Sequence, residues 1–236
     1  MSGSARAVPS AMILAAGRGE RMRPLSDHTP KPLLEVGGKA LIVRQVEALR
    51  AAGVHHVVIN VSYRADQLMD ALGDGSRFGV EIDWSVEPEP LETAGGIATA
   101  YPLLRSPFII VASADIVTDF DYASLVLRAQ RVATRAEVSL AHLVMVPNPP
   151  YHPRGDFALC ENVIREGEER LTFGNIALYD TSLFAELPRG TKLKLLPCFR
   201  AWIADGIVTG ELHPGKWFNV GTPDDLLLAE RALQTP

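Results

Sequence analysis

Residues 11–32 read AMILAAGRGERMRPLSDHTPKP. Met12, Ile13 and Leu14 form an apolar run of strand character that leads into a small-residue turn, Ala15-Ala16-Gly17-Arg18-Gly19. Glycines at such a turn permit positive φ and let a ligand come close to the backbone. Exposed N–H groups there cradle oxyanions, and Arg21, Arg23 and Lys31 supply neutralising charge. Lys31 sits between Pro30 and Pro32, on a comparatively stiff stem. This is the chemistry of a polyphosphate site; a loop with ordinary surface cations is the bland alternative.

Two other glycine-loop readings fail on the same residues. A dinucleotide site needs G-x-G-x-x-G and an acidic residue at the end of the next strand. After Gly17 and Gly19 the third glycine position holds Met22, and the next clear strand runs to Asn60. Gly37-Gly38-Lys39 lacks the spacing of a P-loop and is followed by Ala40.

Outward from the loop, the first half alternates as α/β folds do. Strands are predicted at Ala11–Ala15, His56–Val61 and Val80–Trp84, and an apolar one begins at Pro107–Val111. Helices are predicted around Leu41–Ala52, Ala65–Leu72, Thr93–Leu104 and Asp121–Gln130. Gly53 suits the C′ cap of the first and Gly73 closes the second. Ser139–Val146 is a longer strand, followed by shorter ones at Phe157–Cys160 and Leu171–Tyr179. Helices at Leu183–Leu187 and Leu195–Asp205 precede Trp217-Phe218-Asn219 and a last helix over 223–232. The expectation is an α/β, Rossmann-like, mixed and mainly parallel sheet flanked by helices, as one domain over 1–236. Ligands of such sheets bind beyond the carboxyl ends of the strands, where Asp115 and the cationic loop can meet.

The 236 residues suffice for a substantial core, and 47% hydrophobic with 22% charged residues is ordinary for a globule. A net charge of −5 with no basic arm argues against nucleic acid. A nucleotide as small molecule remains compatible, because a focused cationic pocket can sit on an acidic protein. Cys160 and Cys198 are too few for a disulfide framework or a structural zinc site. The opening MSGSARAVPS has no apolar h-region, and no stretch approaches eighteen apolar residues. A cytoplasmic setting, with no membrane and no obligate protein partner, is expected.

Asp115 ends the run Phe108-Ile109-Ile110-Val111-Ala112-Ser113-Ala114. A carboxylate there needs compensation, which Mg2+ would supply; capping the following turn is the alternative. Glu87, Thr93, Gly95 and Gly96 lie in SVEPEPLETAGG, a loop where backbone groups can approach a flat base. An ionised Glu87 only accepts hydrogen bonds, so it favours a base that carries N3–H, with guanine behind. His152 and Arg154 stand in the proline-stiffened loop 147–157, able to meet an anionic sugar or to form a plain rim. His55-His56 is expected to face solvent.

Leu14–Arg21, Pro24-Leu25 and Pro30-Lys31-Pro32 resemble, in order and spacing, the opening of the sugar nucleotidyltransferases. The resemblance spans the whole chain. It is particularly close to the N-acetylmuramate α-1-phosphate uridylyltransferases of peptidoglycan recycling through GDGSRFG at 73–79, EPLET at 89–93, the loop from Asn148 to Phe157 and Leu171-Thr172-Phe173. It implies uridylyl transfer from UTP to the sugar phosphate; a uridylyl-, thymidylyl- or guanylyltransferase acting on glucose, N-acetylglucosamine or mannose 1-phosphate, or a non-catalytic nucleotide-sugar-binding regulator, are the alternatives. The implied nucleotide-binding part is about 11–120 and the sugar-binding part about 121–222. The β-helix that larger members append is not expected after the latter.

By the same resemblance Arg21 and Lys31 contact phosphates, and Ala15, Ala16, Gly17, Gly19, Glu87, Thr93 and Gly95 contact the nucleotide. Arg154, Gly155, Asp156 and Asn175 are placed at the sugar, with Arg154 expected to pair with a lactyl carboxylate. Asp115 and Asn219 would hold Mg2+, the latter standing where family members commonly carry aspartate. Thr222-Pro223 also reads as the start of the last helix.

Overall fold

The computed structural model describes residues 8–134 and 139–234, so the first seven residues of the N-terminal segment read above lie outside it. Strand β1 is Ser10–Leu14, and the short β2 (Glu35–Val36) and β3 (Lys39–Ala40) pair just before α1 (Leu41–Ala51). There follow β4 (His56–Val61), α2 (Ala65–Leu72), β5 (Glu81–Val86), α3 (Glu92–Ala100), β6 (Phe108–Ser113), β7 (Ile116–Thr118) and α4 (Ala123–Ala133). The second half holds β8 (Ala141–Val146), β9 (Phe157–Cys160), β10 (Val163–Arg165) and β11 (Arg170–Asp180). After α5 (Ser182–Ala185) and α6 (Leu195–Ala204) come β12 (Val208–Leu212), β13 (Trp217–Asn219) and α7 (Pro223–Gln234).

Nine strands form one sheet in the order β5-β4-β1-β6-β11-β8-β12-β10-β9. The sheet is mixed: β5, β4, β1, β6 and the pair β8–β12 run parallel, while β11 pairs antiparallel with β6, β8 and β9. Parallel strands buried on both faces read as continuous apolar runs because alternate residues feed two cores. In β1, Ala11 and Ile13 enter one core and Met12 the other. In β6, Ile110 and Ala112 enter the first, Ile109 and Val111 the second. Residues of α1, α2 and α4 cover the first core, and those of α3, α5 and α6 the second.

Element boundaries agree with the sequence reading to within four residues, and the short β2, β3, β7 and β10 escaped it, as did β12. Its segment, Val208-Thr209-Gly210-Glu211-Leu212, has polar residues and a glycine where a central strand is expected to be apolar. Gly210 is there for space: a Cβ would lie 2.6 Å from Ile164 Cδ1 and 3.0 Å from the Leu143 carbonyl oxygen. His56 also departs from expectation. Its ring is largely buried, with Nδ1 2.9 Å from Ser10 Oγ and Nε2 2.9 Å from Asp83 Oδ2. β4 lies inside the sheet, so its first side chain has neighbours on both flanking strands.

Candidate functional site

Leu14, the last residue of β1, is in register with Asn60 of β4 on one side and Ser113 of β6 on the other. The chain passes from β1 to β4 through α1 on one face, and from β5 to β6 through α3 on the opposite face. Connections that leave on opposite faces open a crevice at the carboxyl ends of the strands. Three clefts meet at Leu14. The largest, about 530 Å³, lies over β11; one of about 290 Å³ lies between the glycine loop and residues 87–93; a third, about 110 Å³, lies between Lys31 and Asp115.

The smallest cleft holds the densest charge. Lys31 Nζ donates to Asp115 Oδ2 at 2.5 Å, with 13% and 25% of the two side chains exposed, so the pair is partly shielded from water. Gly19, at φ 65°, packs on the lysine stem: a Cβ there would come 2.9 Å from Lys31 Cβ. Both its conformation and its neighbour therefore exclude a side chain. Asp115 is followed at once by β7, which pairs antiparallel with β13 so that Ile116 is opposite Asn219. The Val220 N–H donates to the Asp115 carbonyl at 2.9 Å. These pairings set the segment around Asp115 beside the one around Asn219.

Arg21 is exposed beside the segment that follows β13, where a Cβ on Gly221 would lie 3.1 Å from its guanidinium. Asp225 holds that segment: one carboxylate oxygen accepts from the N–H groups of Gly221 and Thr222 and from Thr222 Oγ1. The Asp225 N–H donates back to Thr222 Oγ1 at 3.3 Å. This is a capping box with Pro223 at the first helical position, legible in Thr222-Pro223-Asp224-Asp225.

In the second cleft, Ala16, Gly17 and Thr93 line the wall and the Ala15 N–H turns away to Asn60 Oδ1 at 3.0 Å. That bond orients the amide, so Asn60 Nδ2 must donate, and it does so to Glu87 Oε1 at 2.7 Å. The other oxygen of Glu87 accepts from the Leu91 N–H at 3.0 Å. Burial pushes the Glu87 carboxyl above its ordinary range, against the two hydrogen bonds that lower it. Each oxygen of Glu87 thus already accepts one hydrogen bond, and the residue ties the glycine loop to residues 87–93 while lining the second cleft. Glu87→Gln should cost about 1–3 kcal/mol, because one glutamine group would face a donor. Thermal unfolding at neutral pH checks it; an unchanged midpoint would mean the carboxylate is dispensable.

Gly95 also differs from expectation. Its N–H donates to the Leu193 carbonyl at 3.2 Å, and a Cβ would lie 2.1 Å from the Thr191 carbonyl oxygen. It is a packing glycine that admits residues 191–193, so its amide does not serve a nucleotide. The neighbouring Gly96 makes room for the Asn60–Glu87 pair, which a Cβ would approach to 2.8 and 2.9 Å.

The large cavity has an aromatic floor, in which Phe199 meets Phe157 and Phe173 edge to face at 5.7 and 5.3 Å. Its polar wall includes Asp156, Asn175, Asn219 and Lys194. Asn175, at φ 55°, stands in the irregularity that interrupts the β11–β8 register between Phe173 and Ala177. Asp156 accepts from the Phe173 N–H at 2.8 Å and lies 3.2 Å from His152 Nε2, which anchors loop 147–157 to β11. Arg154 is exposed and does not line the cavity. Gly155 is a buried turn residue at φ 59°, where a Cβ would lie 2.7 Å from Asn148 Oδ1. Neither of the two, both expected at the sugar, lines the cavity. Lys194 is the residue that the sequence reading missed; no motif marks it, and only the fold brings it to the wall.

Among the described residues, no three of His, Cys, Asp or Glu cluster to hold a metal, and no helix is long and apolar enough to cross a membrane. The profile of the nucleotidyl transferase family matches residues 10–151. An N-acetylmuramate alpha-1-phosphate uridylyltransferase of Neisseria meningitidis serogroup B is 45% identical over 217 residues, covering 90% of this chain and 93% of that relative. A mannose-1-phosphate guanyltransferase of Gibberella zeae is 33% identical over 228 residues; the match takes in 92% of this chain but only 62% of the longer relative. A crystal structure from Bacillus anthracis, provisionally named a glucose-1-phosphate thymidylyltransferase and solved with sucrose, superposes with a TM-score of 0.84 over 96% of each chain. At 20% identity that likeness is one of fold.

Proposed function

The chain belongs to the nucleotidyl transferase family and is a sugar-1-phosphate nucleotidyltransferase, and within that activity we propose that it converts UTP and N-acetylmuramate α-1-phosphate to UDP-N-acetylmuramate and pyrophosphate. The carrying observation is that three clefts share Leu14, one of them lined by Lys31 and Asp115; the base and ribose are assigned to the cleft at residues 87–93 and the sugar to the largest. The Neisseria relative's activity supports the choice of substrates. Peptidoglycan recycling in the cytoplasm is the setting this reading implies. The nucleotide is assigned to residues of about 11–120 and the sugar to those of about 121–222.

In this reaction a sugar-phosphate oxygen forms a bond to the α-phosphorus of UTP as the bond to pyrophosphate breaks. No protein nucleophile is needed, so the chain contributes orientation and charge. Lys31 neutralises the α-phosphate region, and Arg21 pairs with the outgoing phosphates through its planar fork. Ala16, Gly17 and Thr93 pack against the nucleoside, while Asp156 and Asn175 take sugar hydroxyls.

Asp115 and Asn219 would hold Mg2+. The donor set fits, since magnesium is bound through one or two protein oxygens with phosphates and water completing its shell. When bound, the ion would neutralise phosphate oxygens. An amide oxygen brings no charge to that grip, so Asn219→Asp should lower the magnesium needed for half-maximal rate while activity persists. A magnesium titration of both proteins reads this, and an unchanged requirement would place Asn219 outside the metal shell.

Specificity constants for UTP, dTTP and GTP against N-acetylmuramate, N-acetylglucosamine, glucose and mannose 1-phosphates test the assignment. The highest value is expected for UTP with N-acetylmuramate 1-phosphate. A higher value for any other pair would replace the substrates and leave the family intact.

A further inference from the structure

We propose that Lys194 is the specificity-determining cation of the sugar cavity, receiving the carboxylate of an acidic sugar substituent. This rests on the reading of the substrate as N-acetylmuramate 1-phosphate, whose lactyl group is the feature N-acetylglucosamine lacks. Among the described residues of the cavity wall, Lys194 is the only lysine or arginine. Its ammonium makes no hydrogen bond or ion pair with the described residues, whereas Lys192, two residues earlier, is taken by Glu89 at 2.5 Å. Two carboxylates, Glu92 and Asp156, face the same cavity. An anionic ligand entering there meets repulsion unless a cation is held against it.

The lysine is held. The Leu193 N–H donates to the Leu91 carbonyl at 3.0 Å, and the Leu193 carbonyl accepts from Gly95 at 3.2 Å. This clamp ties the residue before Lys194 to the loop that Glu87 fixes through the Leu91 N–H. The side of Gly95 that a Cβ would fill is occupied by Thr191 and Leu193 backbone. On the other side of Lys194, helix α6 begins with Leu195 and Leu196, both on the cavity wall. The backbone of Lys194 therefore stands between a pinned strand-like segment and a packed helix, and its exposed side chain lines the cavity on a flexible stem. A compact ammonium on such a stem suits a single carboxylate, which can sit at variable angle.

The test compares specificity constants for N-acetylmuramate 1-phosphate and N-acetylglucosamine 1-phosphate in the wild type, Lys194→Met, Lys194→Arg and Arg154→Met. Lys194→Met should lose selection for the acidic sugar by about tenfold or more, chiefly through KM, with an unchanged thermal midpoint. Lys194→Arg should recover most of the selection, and Arg154→Met should leave the ratio where it was. Equal losses for both sugars in Lys194→Met would put the lysine on their shared phosphate or in packing and overturn the proposal, with the substrate reading standing. A wild type that does not prefer the acidic sugar would overturn that reading and this proposal together.

Discussion

Lys31→Ala should lower turnover by about 10²–10³, the loss that follows removal of one preorganised electrostatic partner from a developing charge. The lysine is well placed for an effect of that size. Its stem is packed by Gly19 and bounded by two prolines, and its side chain is only 13% exposed. A cation fixed in a partly dry cleft needs little reorganisation when charge moves between phosphates. Stability should fall by no more than about 1 kcal/mol, since Asp115 keeps enough exposure to regain water. Arginine should not substitute, because a planar fork cannot occupy the seat of a point charge held against Gly19. Steady-state kinetics with a parallel melting curve decide this. A turnover within about threefold of wild type, in a folded protein, would remove Lys31 from the phosphates.

Asp115→Asn should be comparably severe, lowering turnover by about 10² or more and raising the magnesium requirement. The exchange keeps the shape of the side chain and leaves the carbonyl that receives the Val220 N–H untouched, so the loop joining β6 to β7 keeps its form. Charge and one acceptor oxygen are lost, from the carboxylate that faces Lys31. A magnesium titration separates the two roles open to Asp115. A steep loss that excess magnesium partly restores marks it as a ligand. Undiminished turnover at limiting magnesium would reduce it to the partner of Lys31 and a turn residue.

How far the sequence could be read depended on whether a residue's role is local. The strand, glycine turn and proline-flanked lysine of residues 11–32 act within twenty positions, so their pattern carries their function. Parallel strands announced themselves as apolar runs for the same reason. Asn60 was visible as a polar residue in His56-Val57-Val58-Ile59-Asn60-Val61, and a buried polar group demands partners. Those partners, Ala15 and Glu87, are supplied by other strands and loops, so the network that commits Glu87 was invisible. Gly95 reads in sequence like a ligand-approach glycine, although what approaches it is the chain's own backbone at 191–193. Arg154 drew attention through an unusual loop, yet loop closure by Asp156 and Gly155 leaves it in solvent. Lys194, an ordinary lysine at the start of a helix, gains its place only because β11, α3 and α6 enclose one cavity.

The central claim, that the junction at Leu14 joins a nucleotide to a sugar phosphate without a protein-bound intermediate, is tested most directly by pyrophosphate release in a single turnover. Enzyme in excess over UTP is mixed with N-acetylmuramate 1-phosphate and magnesium. The account predicts one pyrophosphate per UTP, formed only when the sugar phosphate is present, with UDP-N-acetylmuramate appearing in step. Pyrophosphate released from UTP alone, or none released from a complex that binds both substrates, would contradict it.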